Sequence, residues 1–373
     1  MSRISPSDST SPTSFDELPL DKNGPHGNAW GKWGSNDQIG TLNFLTEDVV
    51  AKAARDCILT GERVSLNWSL EGPKYPRFAR KTLSINTINK APEKHAHDDE
   101  GCAILREVSS FVLTNLVGFQ FTVQFPVGRL STLCISKRSG ASISPGDLIL
   151  ELKSVSCITW AALLKTLQSL TIPMAYIISS TSMDTHIASK GIAGRAVFVD
   201  WYAWALEQGK DVDVTTPYAV PFSEILEALH RQGLRTTDFS KGDILIIRFG
   251  YLRQYADMGD DKRARLNEHY KNHKPDNIGI EPSKEFLQFL WDTQIAAVAG
   301  DTRSFEVWPC SQLDWHLHEW LLAGWGMPIG ELFDLEELAK ICASTGRYTF
   351  FLSSAPMNAP GAVASPPNAL AFF

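Results

Sequence analysis

Short runs of consecutive apolar residues alternate, in the second half of the chain, with segments whose apolar positions recur every three or four residues. Residues 196–200, 243–248 and 295–301 are apolar at nearly every position, as expected of strands covered on both faces. Between and after them the spacing predicts helices over 223–230, around 286–291, over 313–322 and over 335–341, with a further strand at 348–352. Ser223 is placed to cap the first of these helices and Gly233 to end it. Nearer the N-terminus, Thr46 can cap a helix whose first turn carries Glu47 and Asp48, favourable beside the positive end of the dipole. Residues 63–70 alternate like a strand. This beat predicts an α/β fold with a mixed, well-buried sheet and flanking helices.

Two stretches depart from it. Residues 1–25 are Ser- and Pro-rich and read as a disordered arm, leaving 26–373 as a single domain. Residues 101–185 have no helix–strand beat and few charges, and read as an atypical segment. The most apolar part, 111–127, is interrupted by Thr114, Asn115, Gln120, Thr122 and Gln124, so it falls short of a membrane span. Lys and Arg number 35 against 42 Asp and Glu, a net charge of -7 that offers no electrostatic reason to bind nucleic acid or an anionic membrane. The six cysteines are scattered without a CxxC pair, which argues against a disulfide scaffold and for a reducing, cytoplasmic setting.

No phosphate loop, dinucleotide fingerprint, HExxH or nucleophile elbow is present. Candidate chemistry therefore rests on histidine and carboxylate. His318 falls in register with Trp315, Leu321 and Leu322 on the expected 313–322 helix, and Glu331 follows a Gly-Met-Pro-Ile-Gly turn that can fold back towards it. An imidazole and a carboxylate converging at a helix end suit zinc or manganese. A core histidine on a backbone carbonyl, with Glu331 capping a turn, fits the same pattern. His95, His97 and Asp98 lie in a run of imidazoles and carboxylates that reads equally as ligands or as a solvated loop. Asp301, at the end of an apolar strand, is either functional or a cap for the residues after it. His186, His269 and His273 read as surface residues. The glycines of 190–195 read as letting backbone pack closely. Trp30 and Trp33 either wall an apolar pocket or pack in the core.

Taken together, WGxxDQxGTLN (33–43), KGIAGRAVFVDW (190–201), GDILIIRFGY (242–251), AGDTRSFEVWP (299–309), LHEWLLAGWGMPIGELFDLEELA (317–339) and SPPNALA (365–371) resemble the metal-dependent cyclase family. That family includes kynurenine formamidases and longer cyclase-like hydrolases. The resemblance spans 28–100 and about 186–373. It implies a compact α/β fold, a homodimer, a small-molecule substrate and a divalent metal, zinc or manganese. His318 and Glu331 match the family's C-terminal metal ligands, and Asp301 would stand behind them or face the substrate. The activity implied is hydrolysis or cyclisation of a small amide, ester or lactone, of a kind used in secondary metabolism.

The family's other half-site, a QWDGxxH-type element carrying an Asp ligand and a catalytic His, is missing as translated. With His318 and Glu331 alone an ion would stay largely hydrated and bind weakly, unless His95, His97 or Asp98 completes the site. A catalytically impaired, non-enzymatic family member is the alternative. The missing element can be recovered from residues 127–137, which suitable synonymous codons read one nucleotide out of frame as Trp-Asp-Gly-Phe-Arg-His-Phe-Ala-Tyr-Gln. Much of 101–185 is then either out-of-frame coding sequence or a genuine insertion. Sequencing the gene across codons 120–137 is expected to reveal the shifted peptide. Codons unable to encode it would leave the insertion.

Overall fold

The apolar runs form the middle of a seven-stranded mixed sheet in the computed structural model, which describes residues 13–75, 121–122, 132–133, 187–273, 275–310, 312–358 and 364–373. The strands are β1 (Arg63–Ser65), β2 (Phe121–Thr122), β3 (Thr132–Leu133), β4 (Ile192–Val199), β5 (Ala219–Val220), β6 (Ile244–Ile247), β7 (Gly279–Ile280), β8 (Ala297–Gly300), β9 (Ile329–Gly330), β10 (Thr349–Ser354) and β11 (Leu370–Phe372). The main sheet runs β1-β11-β10-β4-β6-β8-β9. From β4 to β9 neighbours are parallel, whereas β10, β11 and β1 add on antiparallel. Residues 244–247 and 297–300 are buried throughout, as continuous apolar strands between two covering layers require.

Two compact units are distinguishable. One comprises 1–77, 190–356 and 366–373 and holds the main sheet. The other comprises 78–189 and 357–365, and its described strands are the antiparallel pair β2 and β3. His95, His97, Asp98 and His186 lie outside the described residues, as do residues 1–12 and nearly all of 101–185. Among the described residues, no helix is long and apolar enough to cross a membrane.

Local chemistry explains most of the elements, and three differ from expectation. Thr46 caps the helix Glu47–Cys57, its side chain accepting from the Val49 amide. Ser223 does not cap its helix: Phe222–Arg231 begins one residue earlier, after Pro221, whose extended backbone sets the helix start. The strand expected over 63–70 stops at Ser65, because it is an edge strand whose three-residue partner β11 ends there. Asp200 ends β4 and at once caps the helix Trp201–Glu207 by accepting from the Ala203 amide.

The N-terminal WGxxDQxGTLN motif proves to be a structural clasp. Asp37 accepts from the Gly40 amide and from the Asn43 side chain, which also donates to the Gly40 carbonyl. Thr41 Oγ1 donates to the Ala296 carbonyl at the entry to β8. Gly40 has φ +54° and lies so close to the 325–326 turn that a Cβ would sit 2.2 Å from the Trp325 carbonyl oxygen. Trp33 packs edge-on against Phe44 and Trp291. Trp30 is half-exposed and donates its indole N–H to the Ala323 carbonyl. At the start of β4, Gly191 has φ +70° and would bring a Cβ within 2.8 Å of the Ser354 carbonyl, in line with close backbone packing at 190–195.

Beyond the C-terminal ends of β4 and β6 lies a buried ion network. Arg248 forks onto both oxygens of Glu336, reaches both oxygens of Asp200, and stacks over the Tyr202 ring. Removing the guanidinium would strand carboxylates away from water. Arg248→Ala is therefore expected to lower the unfolding free energy by about 3–5 kcal/mol, read as an earlier urea midpoint. A midpoint within error of the wild type would show that the network carries no weight.

Candidate metal centre

Because β4, β6, β8 and β9 are parallel, their C-terminal ends lie along one edge of the sheet, where α/β folds gather functional groups. The residues that follow these strands are Asp200, Arg248, Asp301 and Glu331. Asp301 is fully buried, and its carboxylate accepts the backbone N–H groups of Phe249, Gly250 and Tyr251 at 2.7–2.9 Å. It thus clamps the turn after β6, rather than capping Thr302 and Arg303 or pairing with His318 or Glu331. Burial pushes its pKa up to about 6, against the pull of the Phe249 amide and of the Arg248 charge.

The segment after β8 leads to Glu306, a carboxylate with no exposure at all. Its Oε2 accepts from the Leu317 amide at 2.9 Å, and its Oε1 from the His318 amide at 3.1 Å. These amides begin a helical segment, where backbone donors have no intrahelical acceptor. Residues 313–322 are accordingly not one helix. A short 3₁₀ turn, Leu313–Trp315, stops at His316, and a π-helical stretch, Glu319–Trp325, follows and ends at Gly326 in the left-handed region. The expected continuous helix gives way because the buried carboxylate needs those donors.

The interruption brings five titratable side chains together. His318 Nδ1 lies 2.5 Å from Glu306 Oε1, and His318 Nε2 lies 3.4 Å from Glu331 Oε1. His316 Nε2 lies 3.5 Å from the same Glu306 oxygen, and its Nδ1 3.7 Å from Glu319 Oε1. Glu319 Oε1 is buried and accepts no hydrogen bond among the described residues, and the buried Trp308 Nε1 likewise donates none. Three carboxylates, one of them with an orphaned oxygen, and two imidazoles form a donor set that suits a divalent cation. Glu306, His316 and His318 each offer a ligand atom within 4.8 Å of the others and could hold a metal.

Burial alone would disfavour the His318 imidazolium. Its hydrogen bonds to Glu306 and Glu331, together with their charge, override burial and push its pKa up to about 10. Burial would also raise the Glu306 carboxyl. The bond and charge of His318, the charge of His316 and the Leu317 amide instead hold it below the ordinary value. Glu306 is therefore an acceptor, and Nδ1 of His318 must be the donor. Burial, then the charges of Glu306 and Glu319, push the Cys310 thiol up to about 12, so it stays a neutral thiol.

Of the residues singled out in the sequence, His318 and Glu331 are thus brought face to face, with side chains 21% and 13% exposed. His269 and His273 are exposed, their rings stacked on each other. Glu306, His316 and Glu319 were not anticipated. Glu306 sits inside the AGDTRSFEVWP motif, and the His-Leu-His spacing of 316–318 was the available signal. On a continuous helix, residues two apart point to different faces, which hid the pairing.

The fold is that of a cyclase-like protein. Residues 156–307 match the family model described as "Putative cyclase", a span covering β4 to β8, Glu306 and the last part of the 101–185 segment. A crystal structure of a novel cyclase aligns with 93% of this chain and 99% of its own, at 23% identity and a TM-score of 0.58, and shares the fold. Isatin hydrolase A from Labrenzia aggregata, bound to benzyl benzoate, aligns with 51% of this chain and 64% of its own, at 18% identity and a TM-score of 0.36. Isatin hydrolase A from Ralstonia solanacearum gives 51%, 63%, 18% and 0.36 in the same order. No curated protein matches the sequence.

The raised His318 pKa has a consequence for the protein freed of metal. A histidine whose folded pKa lies above its unfolded value, near 6.5, contributes stability that is complete below that value and is lost as pH rises through about 10. The thermal midpoint of the chelator-treated protein should fall between about pH 7 and pH 10, and His318→Gln should flatten most of that slope. An identical slope in the variant would place the titration elsewhere.

Proposed function

We propose that this chain is a metal-dependent hydrolase or cyclase that acts on a small amide, ester or lactone of secondary metabolism, as a cytoplasmic homodimer. The observation that carries the reading is the pairing of His318 Nε2 and Glu331 Oε1 at 3.4 Å beyond the C-terminal end of β9. Two ligands of one tetrahedral zinc, each about 2.0–2.1 Å from the ion, stand about 3.3–3.4 Å apart. His318 and Glu331 would hold zinc or manganese there. When bound, such an ion supplies Lewis acidity towards a carbonyl and lowers the pKa of water towards neutrality.

The chain's own residues supply the rest. Glu306 holds the Nδ1 proton of His318, so Nε2 is the nitrogen that would give up its proton to a cation. His316 stands between Glu306 and Glu319, 3.5 and 3.7 Å from their nearest oxygens. These donors strengthen a site that sequence alone credited with two ligands. In the chain as translated the remaining ligands fall to His95, His97 or Asp98.

Reconstitution with zinc or manganese, followed by elemental analysis, is expected to give about one ion per chain. The loaded protein should hydrolyse N-formylkynurenine, an aryl ester or a lactone, and His318→Ala should abolish both binding and turnover. A chain that retains no ion after reconstitution and turns over none of these substrates would overturn the proposal in favour of a non-catalytic family member.

A further inference from the structure

Glu306 is the one residue of the cluster that cannot share an ion with His318 through the atoms that touch. Its Oε1 and His318 Nδ1 are 2.5 Å apart, far closer than the roughly 3.3–3.4 Å edge between two ligands of one tetrahedral ion. A contact that close is a short hydrogen bond between the ring N–H and the carboxylate, whose charge strengthens it. Both carboxylate oxygens are also engaged, with Oε2 accepting the Leu317 amide and Oε1 the His318 amide as well as the ring. It therefore grips His318 at both backbone and side chain. With Nδ1 pinned, the opposite ring nitrogen is left facing Glu331.

We infer that Glu306 is a positioning residue that fixes the ring orientation and tautomer of His318, so that Nε2 and not Nδ1 is presented beside Glu331 to a divalent cation. Carboxylates behind ligating histidines act in this way in metal sites generally, and losing one weakens metal affinity without removing a ligand. Glu306 combines that role with capping the helical segment on which His318 sits. Backbone and ring thus answer to a single buried group, and the ring cannot turn without giving up its bond to Glu306. The inference rests on the proposed metal site for its function, but the contact itself exists without an ion.

The test uses the full-length protein with isotopically labelled histidine, loaded with zinc for affinity and with cadmium for NMR. Cadmium is expected to couple to Nε2 of His318, and the Nδ1 proton should resonate far downfield in both metal-free and loaded protein. Glu306→Gln, with its urea midpoint measured alongside, should lose the downfield proton and weaken zinc binding in chelator competition by about 10–100-fold. Cadmium coupling to Nδ1 would overturn the inference. So would unchanged zinc affinity in Glu306→Gln, or a wild-type spectrum without the downfield proton. If Glu306→Gln does not fold, the wild-type spectra alone decide by the same criteria. A wild type that binds neither zinc nor cadmium defeats the metal reading instead. A downfield proton present there and lost in Glu306→Gln would still support Glu306 as the group that orients His318.

Discussion

A carboxylate shut off from water has to be satisfied by the protein, and in this chain Glu306 is that carboxylate. Its ionised form is tolerated only because two backbone amides and an imidazole converge on it. Meeting that demand takes Leu317 and His318 out of a continuous helix, places His318 at the start of the next helical stretch, and turns its ring. The position of His318 is therefore set by an electrostatic obligation, not by helical periodicity. The tight pairing with His318 also explains why Glu306 stays ionised in the interior.

The sheet supplies the frame for this arrangement. Four parallel strands deliver Asp200, Arg248, Asp301 and Glu331 to one edge, but only Glu331 joins the histidines. Arg248 is consumed by Asp200 and Glu336, and Asp301 by the turn after β6. The same edge thus holds both fully paired and incompletely paired charge. What separates the two is whether every polar atom already has a partner. Asp301 has three backbone donors, whereas Glu319 Oε1 has none among the described residues. The clasp of Asp37, Gly40 and Asn43 completes the frame by packing the N-terminal motif against the turn at Gly326.

Much of the fold was legible because its signals are local or strictly periodic. The apolar runs around 196–200, 243–248 and 295–301 could become little other than buried strands, and Thr46 could cap only the helix that follows it. Ser223 misled for an equally local reason: Pro221 before it starts the helix a residue sooner. The two ends of the 63–70 strand depended on a partner some 300 residues away, whose length no local pattern discloses.

By itself the sequence determined the α/β class and the order of the buried strands along the chain, and it offered the pairing of His318 with Glu331 as one of two readings. Each follows from short-range pattern or from motif resemblance. The tertiary structure alone decided that Asp301 serves a turn, and that Glu306, His316 and Glu319 join the site. Those outcomes depend on which donors surround a buried charge once distant segments have packed. The energy of an unsatisfied carboxylate is paid in three dimensions, and it outweighs the helical preference written into residues 313–322.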